Sequence, residues 1–153
     1  MKTYKVVVTE AGIIRWYNEK EEYHCEHGPA VEYPNGNKYW YQNNKLHRLD
    51  GPAIEYVDGD KSWYQNGELH RLDGPAIECV NGAKYWYQNN KLHRLDGPAV
   101  ECTDGSKYWF IEDKEYTEAE FKKKVKELKN PKSSCDGKVV TIEGKQYKLT
   151  EIK

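Results

Sequence analysis

Three histidines recur at a constant interval of 23 residues, and each begins the same sequence, His-Arg-Leu-Asp. They are His47, His70 and His93. This order is close to the His-Arg-Asp of a kinase catalytic loop, but the aspartate is displaced and neither a downstream asparagine nor a glycine-rich loop is present. The histidines could also supply the ligands of a metal ion. Ligands of one zinc ion must lie about 2 Å from it, whereas two strands are expected to separate successive histidines. The sequence therefore predicts a structural turn, in which the aspartate accepts backbone N–H bonds and the arginine pairs with carboxylates.

The first copy of this turn is chemically different from the others. His24-Cys25-Glu26-His27 stands where the later copies have His-Arg-Leu-Asp. Two histidines and a cysteine could begin a zinc site, but no second cluster of ligands follows, and Cys135 is the only spare thiol. We therefore predict a variant turn without a metal or a cofactor, and we take His27 as a candidate binding residue.

Glutamate and lysine also recur in pairs, and they could act as an acid and a base. On a hairpin with alternating faces they are better explained as surface charges that stabilise neighbouring strands. The sequence holds no nucleophile elbow, phosphate loop or carboxylate dyad, and a repeated surface does not offer one distinct catalytic constellation. We therefore predict that the protein is not an enzyme. The pairs are Glu32 with Lys38, Glu55 with Lys61, Glu78 with Lys84, and Glu101 with Lys107.

The segments that hold these residues repeat with the same period. Four 23-residue units fill residues 24–115, and each contains a Gly-Pro, an Asn-Gly or Asp-Gly, and a tryptophan at a fixed step. Such a period is typical of arrays whose units stack on their neighbours. Asn-Gly and Asp-Gly favour a type I′ turn, which predicts one β-hairpin in each unit. With a two-residue loop, Ile54 would face Trp63.

The predicted fold class is an all-β repeat array, with one antiparallel hairpin per 23-residue unit, one C-terminal helix and a terminal hairpin. Residues 1–23 are predicted to form an N-terminal cap hairpin that contains a degenerate half-repeat, and residues 24–115 form the array. A capping helix is predicted over 116–130, because Thr117 and Glu120 have the spacing of a capping box. Residues 131–153 are predicted to form the C-terminal hairpin.

Aromatic residues dominate the apolar composition. The 153 residues include thirteen tyrosines and five tryptophans, and the formal net charge is −1. This charge balance argues against a nucleic-acid binder, which usually has a basic face. Each aromatic ring can bury about 150–250 Å², so we predict that the repeated rings form the core, with an exposed recognition patch as the alternative. The rings are Trp40, Trp63, Trp86, Trp109, Tyr41, Tyr64 and Tyr87.

The N-terminal sequence predicts a cytoplasmic protein. Its one apolar run, Val6-Val7-Val8, is too short for a signal-peptide core or a membrane span. Cys79 and Cys102 take positions that tyrosines hold in earlier units, and we expect free thiols in a reducing compartment.

The repeat resembles a known phage sequence pattern. Residues 63–78, WYQNGELHRLDGPAIE, fit throughout the WYxNGxxHRxDGPAxE repeat of tailed-phage proteins, which is similar to a variant form of membrane-occupation-and-recognition-nexus (MORN) repeats. The resemblance covers residues 24–115, and EYTEAEF (115–121) looks like the helix that often ends such phage arrays. It implies the repeat fold and a viral origin, with a location in the cytoplasm of a host bacterium.

Two functions are compatible with this sequence. The first is non-catalytic binding of another protein; given the resemblance, this is a phage protein that binds and inhibits a host factor of bacterial defence. The second is a small-ligand binder, such as a sponge for a nucleotide signal, with aromatic stacking and arginines on phosphates. Open strand edges would also allow self-association. The candidate binding residues are His27, Arg48, Arg71, Arg94, Lys122, Lys123 and Lys126.

Overall fold

The computed structural model describes residues 3–130, 139–142 and 145–148. The chain divides into two compact units, Met1–Thr117 and Glu118–Lys153. The first contains β-hairpins joined in a long antiparallel sheet, and the second contains one helix and one strand pair. The predicted fold class is therefore confirmed.

The first compact unit is built from very short strands, most of them two residues long. In chain order they are β1 (Lys5–Val8), β2 (Ile14–Tyr17), β3 (Val31–Glu32), β4 (Lys38–Tyr39), β5 (Tyr41–Gln42), β6 (Lys45–Leu46), β7 (Ile54–Glu55), β8 (Lys61–Ser62), β9 (Tyr64–Gln65), β10 (Glu68–Leu69), β11 (Ile77–Glu78), β12 (Lys84–Tyr85), β13 (Tyr87–Gln88), β14 (Lys91–Leu92), β15 (Val100–Glu101), β16 (Lys107–Ile111) and β17 (Lys114–Tyr116).

Each of the first three repeat units contributes two strands to the main sheet and two strands to a separate small hairpin. The main sheet has eleven strands in the order β1-β2-β3-β4-β7-β8-β11-β12-β15-β16-β17, and the small hairpins are β5-β6, β9-β10 and β13-β14. The strand that ends with Tyr39 continues past Trp40 into the small hairpin, which begins at Tyr41. A single extended segment therefore links the main sheet to the small hairpin in each of these units.

The N-terminal hairpin is the predicted half-repeat. Strands β1 and β2 pair with each other, and β2 then pairs with β3 of the first unit. The Trp16 amide donates to the carbonyl of Ala30, and the His24 amide donates to the carbonyl of Trp16. Trp40 and His47 make the equivalent pair of bonds one unit later, so Trp16 occupies the tryptophan position of a repeat.

The Asn-Gly or Asp-Gly turn of the main-sheet hairpin differs from the prediction in its type. At Asp58-Gly59, the Gly59 amide donates to the Tyr56 carbonyl (3.0 Å), and only the glycine has a positive φ, 104°. This is a three-residue loop with a type I turn and a left-handed glycine. The predicted type I′ turn at this place is wrong, since Asp58 does not adopt a positive φ.

The type I′ turn lies instead in the small hairpin. Asn43 and Asn44 have φ values of 50° and 61°, and they join β5 to β6 as a two-residue loop. Asparagine tolerates this left-handed region better than most residues. The same geometry recurs at Asn66-Gly67, Asn89-Asn90 and Glu112-Asp113.

The longer loop shifts the register of each main-sheet hairpin by one residue. Ile54 pairs with Ser62 rather than facing Trp63. A one-residue shift moves a side chain to the other face of the sheet, so Trp63 shares its face with Glu55. The predicted glutamate–lysine pairs are confirmed, and they continue between units as a row of alternating charge. The pairings are Glu32↔Lys38, Lys38↔Glu55, Glu55↔Lys61, Lys61↔Glu78, Glu78↔Lys84, Lys84↔Glu101 and Glu101↔Lys107.

Small residues, rather than aromatic rings, occupy the fully buried positions. One alanine in each unit has no exposed surface, and aliphatic residues such as Ile54 are nearly buried beside it. In a sheet of such short strands, a large ring is covered only in part by its neighbours in the same row. The buried alanines are Ala30, Ala53, Ala76 and Ala99. The rings predicted as core are half-buried: Trp40, Trp63, Trp86, Trp109, Tyr41, Tyr64 and Tyr87.

The second compact unit contains the predicted helix and hairpin. Helix α1 (Glu118–Lys129) begins directly after Thr117, as the capping sequence predicts, and its Phe121 is buried. Strands β18 (Val139–Ile142) and β19 (Lys145–Lys148) pair antiparallel. The Glu143-Gly144 turn and Cys135 lie outside the described residues.

The described part of the chain contains no helix that is both long enough and apolar enough to cross a membrane. Its three thiols, Cys25, Cys79 and Cys102, are free and half-buried. The cytoplasmic location stays a prediction.

Alkaline pH should unfold this protein through its half-buried tyrosines. Burial, followed by the neighbouring Tyr56, raises the pKa of Tyr39 to about 12, and burial is also the main cause that raises the pKa of Tyr41, Tyr64 and Tyr87. A phenol with a raised folded-state pKa stabilises the fold below its ordinary pKa of about 10. That contribution is lost as the pH rises through the folded-state pKa.

We therefore expect tyrosinate absorbance and the loss of circular dichroism to rise together between about pH 10 and pH 12. The urea-unfolded chain is the control, and it should titrate near pH 10. Ionisation of all tyrosines near pH 10 with an unchanged fold would contradict this expectation.

Candidate functional site

An arginine of each His-Arg-Leu-Asp turn lies over the tryptophan of the preceding unit. The guanidinium carbon of Arg48 is 4.1 Å from the ring centroid of Trp40. Its Nε donates to Asp50 Oδ1 (2.9 Å), and its Nη1 donates to Glu55 Oε1 (2.8 Å) and to the carbonyl oxygen of Pro52 (3.2 Å). We call this set of contacts the arginine clamp. Because the tryptophan and the arginine belong to successive units, each clamp fastens one unit to the next.

The clamp is repeated twice more with nearly the same geometry. Arg71 lies 4.0 Å from the ring centroid of Trp63, and Arg94 lies 3.9 Å from that of Trp86. A guanidinium stacked on an indole gains a cation–π attraction that increases as the pair is desolvated. The accompanying carboxylates are Asp73 (2.9 Å) and Glu78 (2.8 Å) for Arg71, and Asp96 (2.7 Å) and Glu101 (3.2 Å) for Arg94.

The clamp explains the glycine that follows each aspartate. A Cβ atom added at Gly51 would lie 2.9 Å from the guanidinium carbon of Arg48, and Gly74 and Gly97 show the same distance to their own arginines. Real Cβ contacts essentially never fall this short. The guanidinium is therefore held between an indole ring and a bare stretch of backbone, and a side chain at the glycine position would have to displace it.

The three arginines were candidates for phosphate binding, and the structure places each of them in a clamp. Each guanidinium already donates to two carboxylates, so a phosphate would have to compete with both of them. The arginine–carboxylate pairing that the sequence predicted is confirmed. Hydrogen bonding from the arginines also holds the pKa of Asp50 and Asp73 below the usual range.

Each repeated histidine bonds to the type I′ turn of its own unit. The backbone N–H of Asn66 donates to His47 Nδ1 at 3.1 Å, and Asn43 and Asn89 make the same bond to His24 and His70. These nitrogens are therefore engaged in the fold. Within residues 3–130 and the two described C-terminal strands, no three histidine, cysteine or acidic side chains lie close enough to share a metal ion.

Leucines project from the clamped turns, and the sequence alone did not single them out. Leu49 and Leu72 are 76% and 75% exposed, and Leu95 is 38% exposed. We call these three residues the leucine ridge. A groove of about 590 Å³ lies between Leu72 and Leu95 and is lined in part by Trp86. The sequence feature that could have identified the leucine ridge is an apolar residue that recurs inside an otherwise polar turn.

The remaining candidate residues lie elsewhere. Lys122, Lys123 and Lys126 are exposed on helix α1 in the second compact unit, where Lys122 pairs with Glu118 (2.6 Å). His27 lines a separate groove of about 390 Å³ between the N-terminal hairpin and the first repeat unit. We call this the first-unit groove; its other walls include Trp16, Cys25, Pro29 and Glu32.

No family model matches this chain, and a comparison with curated proteins finds no match either. The geometry of the repeat is therefore the basis for inferring a function.

A pair of glycine substitutions should reveal how tightly the clamp is packed. Gly74→Ala would force a Cβ against the Arg71 guanidinium, and we expect it to destabilise the protein by about 1–3 kcal/mol. Gly28→Ala is the matched control, because a Cβ there meets nothing within 4 Å. We expect the control to change the free energy of unfolding by less than about 0.5 kcal/mol.

Urea unfolding followed by circular dichroism measures both values. Equal effects of the two substitutions would show that the guanidinium does not depend on a bare backbone beside it.

Proposed function

We propose that this chain is a non-catalytic protein-binding module and that the leucine ridge is its main binding surface. The observation that carries this proposal is the recurrence of an exposed leucine at the same point of successive clamped turns. Two main-sheet strands separate equivalent points, so neighbouring leucines are spaced by about 9–10 Å. Exposed apolar groups that form a continuous row are typical of interaction surfaces.

The clamp gives the ridge a fixed shape before any partner arrives. Leu72 lies between Arg71 and Asp73, whose side chains bond to each other across it at 2.9 Å. The turn therefore has little conformational freedom left to lose on binding, and this pre-organisation favours affinity. The groove beside Leu72 has room for a side chain of the partner, and its walls are mixed, with Leu72 and Trp86 beside charged residues such as Asp73.

The charges around the ridge indicate the chemistry of the partner surface. The side chains of Asp50 and Asp73 are 84% exposed, whereas their partner arginines are only about one-fifth exposed. An approaching surface thus meets apolar groups flanked by carboxylates. Complementarity favours a partner that presents apolar side chains together with basic ones.

The resemblance of residues 63–78 to a phage repeat supports a more specific version of this proposal. In that version, the chain acts in the cytoplasm of an infected bacterium, and its partner is a host protein of defence that it inhibits. An array of similar turns suits this role because it presents a wide rigid surface without needing a catalytic pocket.

Substitution of the ridge should abolish partner binding without unfolding the protein. We compare the ridge variant Leu49→Ser, Leu72→Ser, whose leucines are 76% and 75% exposed, with the control Val57→Ser, Val80→Ser, whose valines are 68% and 66% exposed. Each protein is immobilised, exposed to bacterial lysate and analysed by mass spectrometry, and the affinity of a captured protein is then measured by calorimetry. We expect the ridge variant to lose at least tenfold in affinity, about 1.4 kcal/mol, while the control keeps its affinity.

Both variants should melt like the parent, because exposed side chains contribute little to stability. Full binding by the folded ridge variant would contradict the proposed surface. A nucleotide that stabilises the parent and the ridge variant equally, in the absence of any protein partner, would favour a small-ligand function instead.

A further inference from the structure

The repeats show how this protein binds a guanidinium group. In each clamp the group stacks on an indole ring at about 4 Å and lies against a glycine. Its Nη1 donates to a glutamate and to the carbonyl oxygen of the proline after the glycine. Its Nε donates to an aspartate. Three examples within one chain thus define a cradle for an arginine side chain.

The first unit has this cradle but lacks its own arginine. The equivalent of Arg48 is Cys25, whose side chain is too short to reach over the ring of Trp16. A Cβ at Gly28 would meet nothing within 4 Å, whereas at Gly51 it would meet the Arg48 guanidinium at 2.9 Å. The space that a guanidinium fills in the later units is therefore open beside Gly28.

The other walls of the cradle are present in the first unit. Trp16 makes the same backbone bonds as the later tryptophans, and it lines the first-unit groove together with Pro29 and Glu32. Glu32 stands at the position of Glu55, and its side chain is 41% exposed. Among the described residues, Glu32 makes a long ion-pair contact, 3.9 Å to Lys38 Nζ. The carboxylate thus has capacity for a closer cation.

From these observations we infer that the first-unit groove is a binding site for an arginine side chain of a partner protein. The incoming guanidinium stacks on Trp16, lies against Gly28, and donates to Glu32 and to the carbonyl oxygen of Pro29. The partner belongs to the function proposed above, but the chemistry of the groove can be tested without it.

The cradle distinguishes arginine from lysine by shape. A planar guanidinium stacks on an indole and offers several donors in one plane, whereas an ammonium is a compact charge that is strongly hydrated. The first-unit groove lacks one hydrogen-bond acceptor of the later units, because His27 replaces the aspartate that accepts a hydrogen bond from Nε. Restoring that acceptor with His27→Asp should therefore strengthen binding.

The test is a titration of the isotope-labelled full chain with N-acetylarginine amide, followed by nuclear magnetic resonance. The indole N–H signal of Trp16, assigned with Trp16→Phe, should shift and saturate. The signal of Trp63 should not shift, because Arg71 already covers that ring. N-acetyllysine amide should shift Trp16 much less, and the neutral citrulline analogue should leave it unchanged.

Three variants separate this site from the rest of the fold. Cys25→Arg supplies the missing guanidinium from within the chain, so it should abolish the response and raise the melting temperature. Gly28→Ala should keep the fold, yet weaken binding at least tenfold, because its Cβ would occupy the guanidinium space. Glu32→Gln should weaken binding by removing the charged acceptor.

The inference is overturned by the absence of a saturable shift at Trp16, by an equal response to the lysine or citrulline compound, or by undiminished binding in folded Cys25→Arg or Gly28→Ala. The leucine-ridge variant should bind the arginine compound normally. Failure of the ridge proposal and failure of this one therefore give different results.

Discussion

A guanidinium held between an indole ring and a glycine is the contact on which the repeat depends. It joins the tryptophan of one unit to the turn of the next. This contact matters because most main-sheet strands are only two residues long and so form few hydrogen bonds between units. Five residues serve each such contact: the arginine, aspartate and glycine of the turn, the tryptophan of the preceding unit, and a glutamate of the following strand. Since each carboxylate partner lies near the protein surface, the charge is neutralised without a fully buried ion pair, which would carry a large desolvation cost.

The sequence predicted those features that depend on local chemistry. The start of the helix after Thr117, the terminal hairpin and the Glu55–Lys61 pairing all agree with the structure. The clamp was not predicted, because a loop at Asp58-Gly59 that is one residue longer than expected places Trp63 on the glutamate face of the sheet. Loop length depends on which residues close the turn, and the Asp-Gly dipeptide is compatible with both lengths. The aromatic core was predicted from the high content of tyrosine and tryptophan. Composition does not reveal that a single sheet covers these rings only in part, and for that reason the prediction was wrong about their burial.

The same contact accounts for the two proposed binding features. Where the chain supplies its own arginine, the turn is rigid and presents a leucine; where Cys25 replaces that arginine, the turn leaves a cradle open. One sequence unit thereby yields a repeated scaffold and, beside Cys25, the distinct groove that we propose as a binding site. The candidate lysines lie on helix α1, in the second compact unit.

A double-mutant cycle on Trp63 and Arg71 tests the central claim most directly. The free energies of unfolding in urea are measured for the parent, Trp63→Leu, Arg71→Ala and the double variant, with Trp63 and Arg94 as the control pair from different clamps. If the stacked pair fastens successive units, the coupling energy between Trp63 and Arg71 should be about 0.5–2 kcal/mol, and the control coupling should be close to zero. Additive effects of Trp63→Leu and Arg71→Ala would contradict the account.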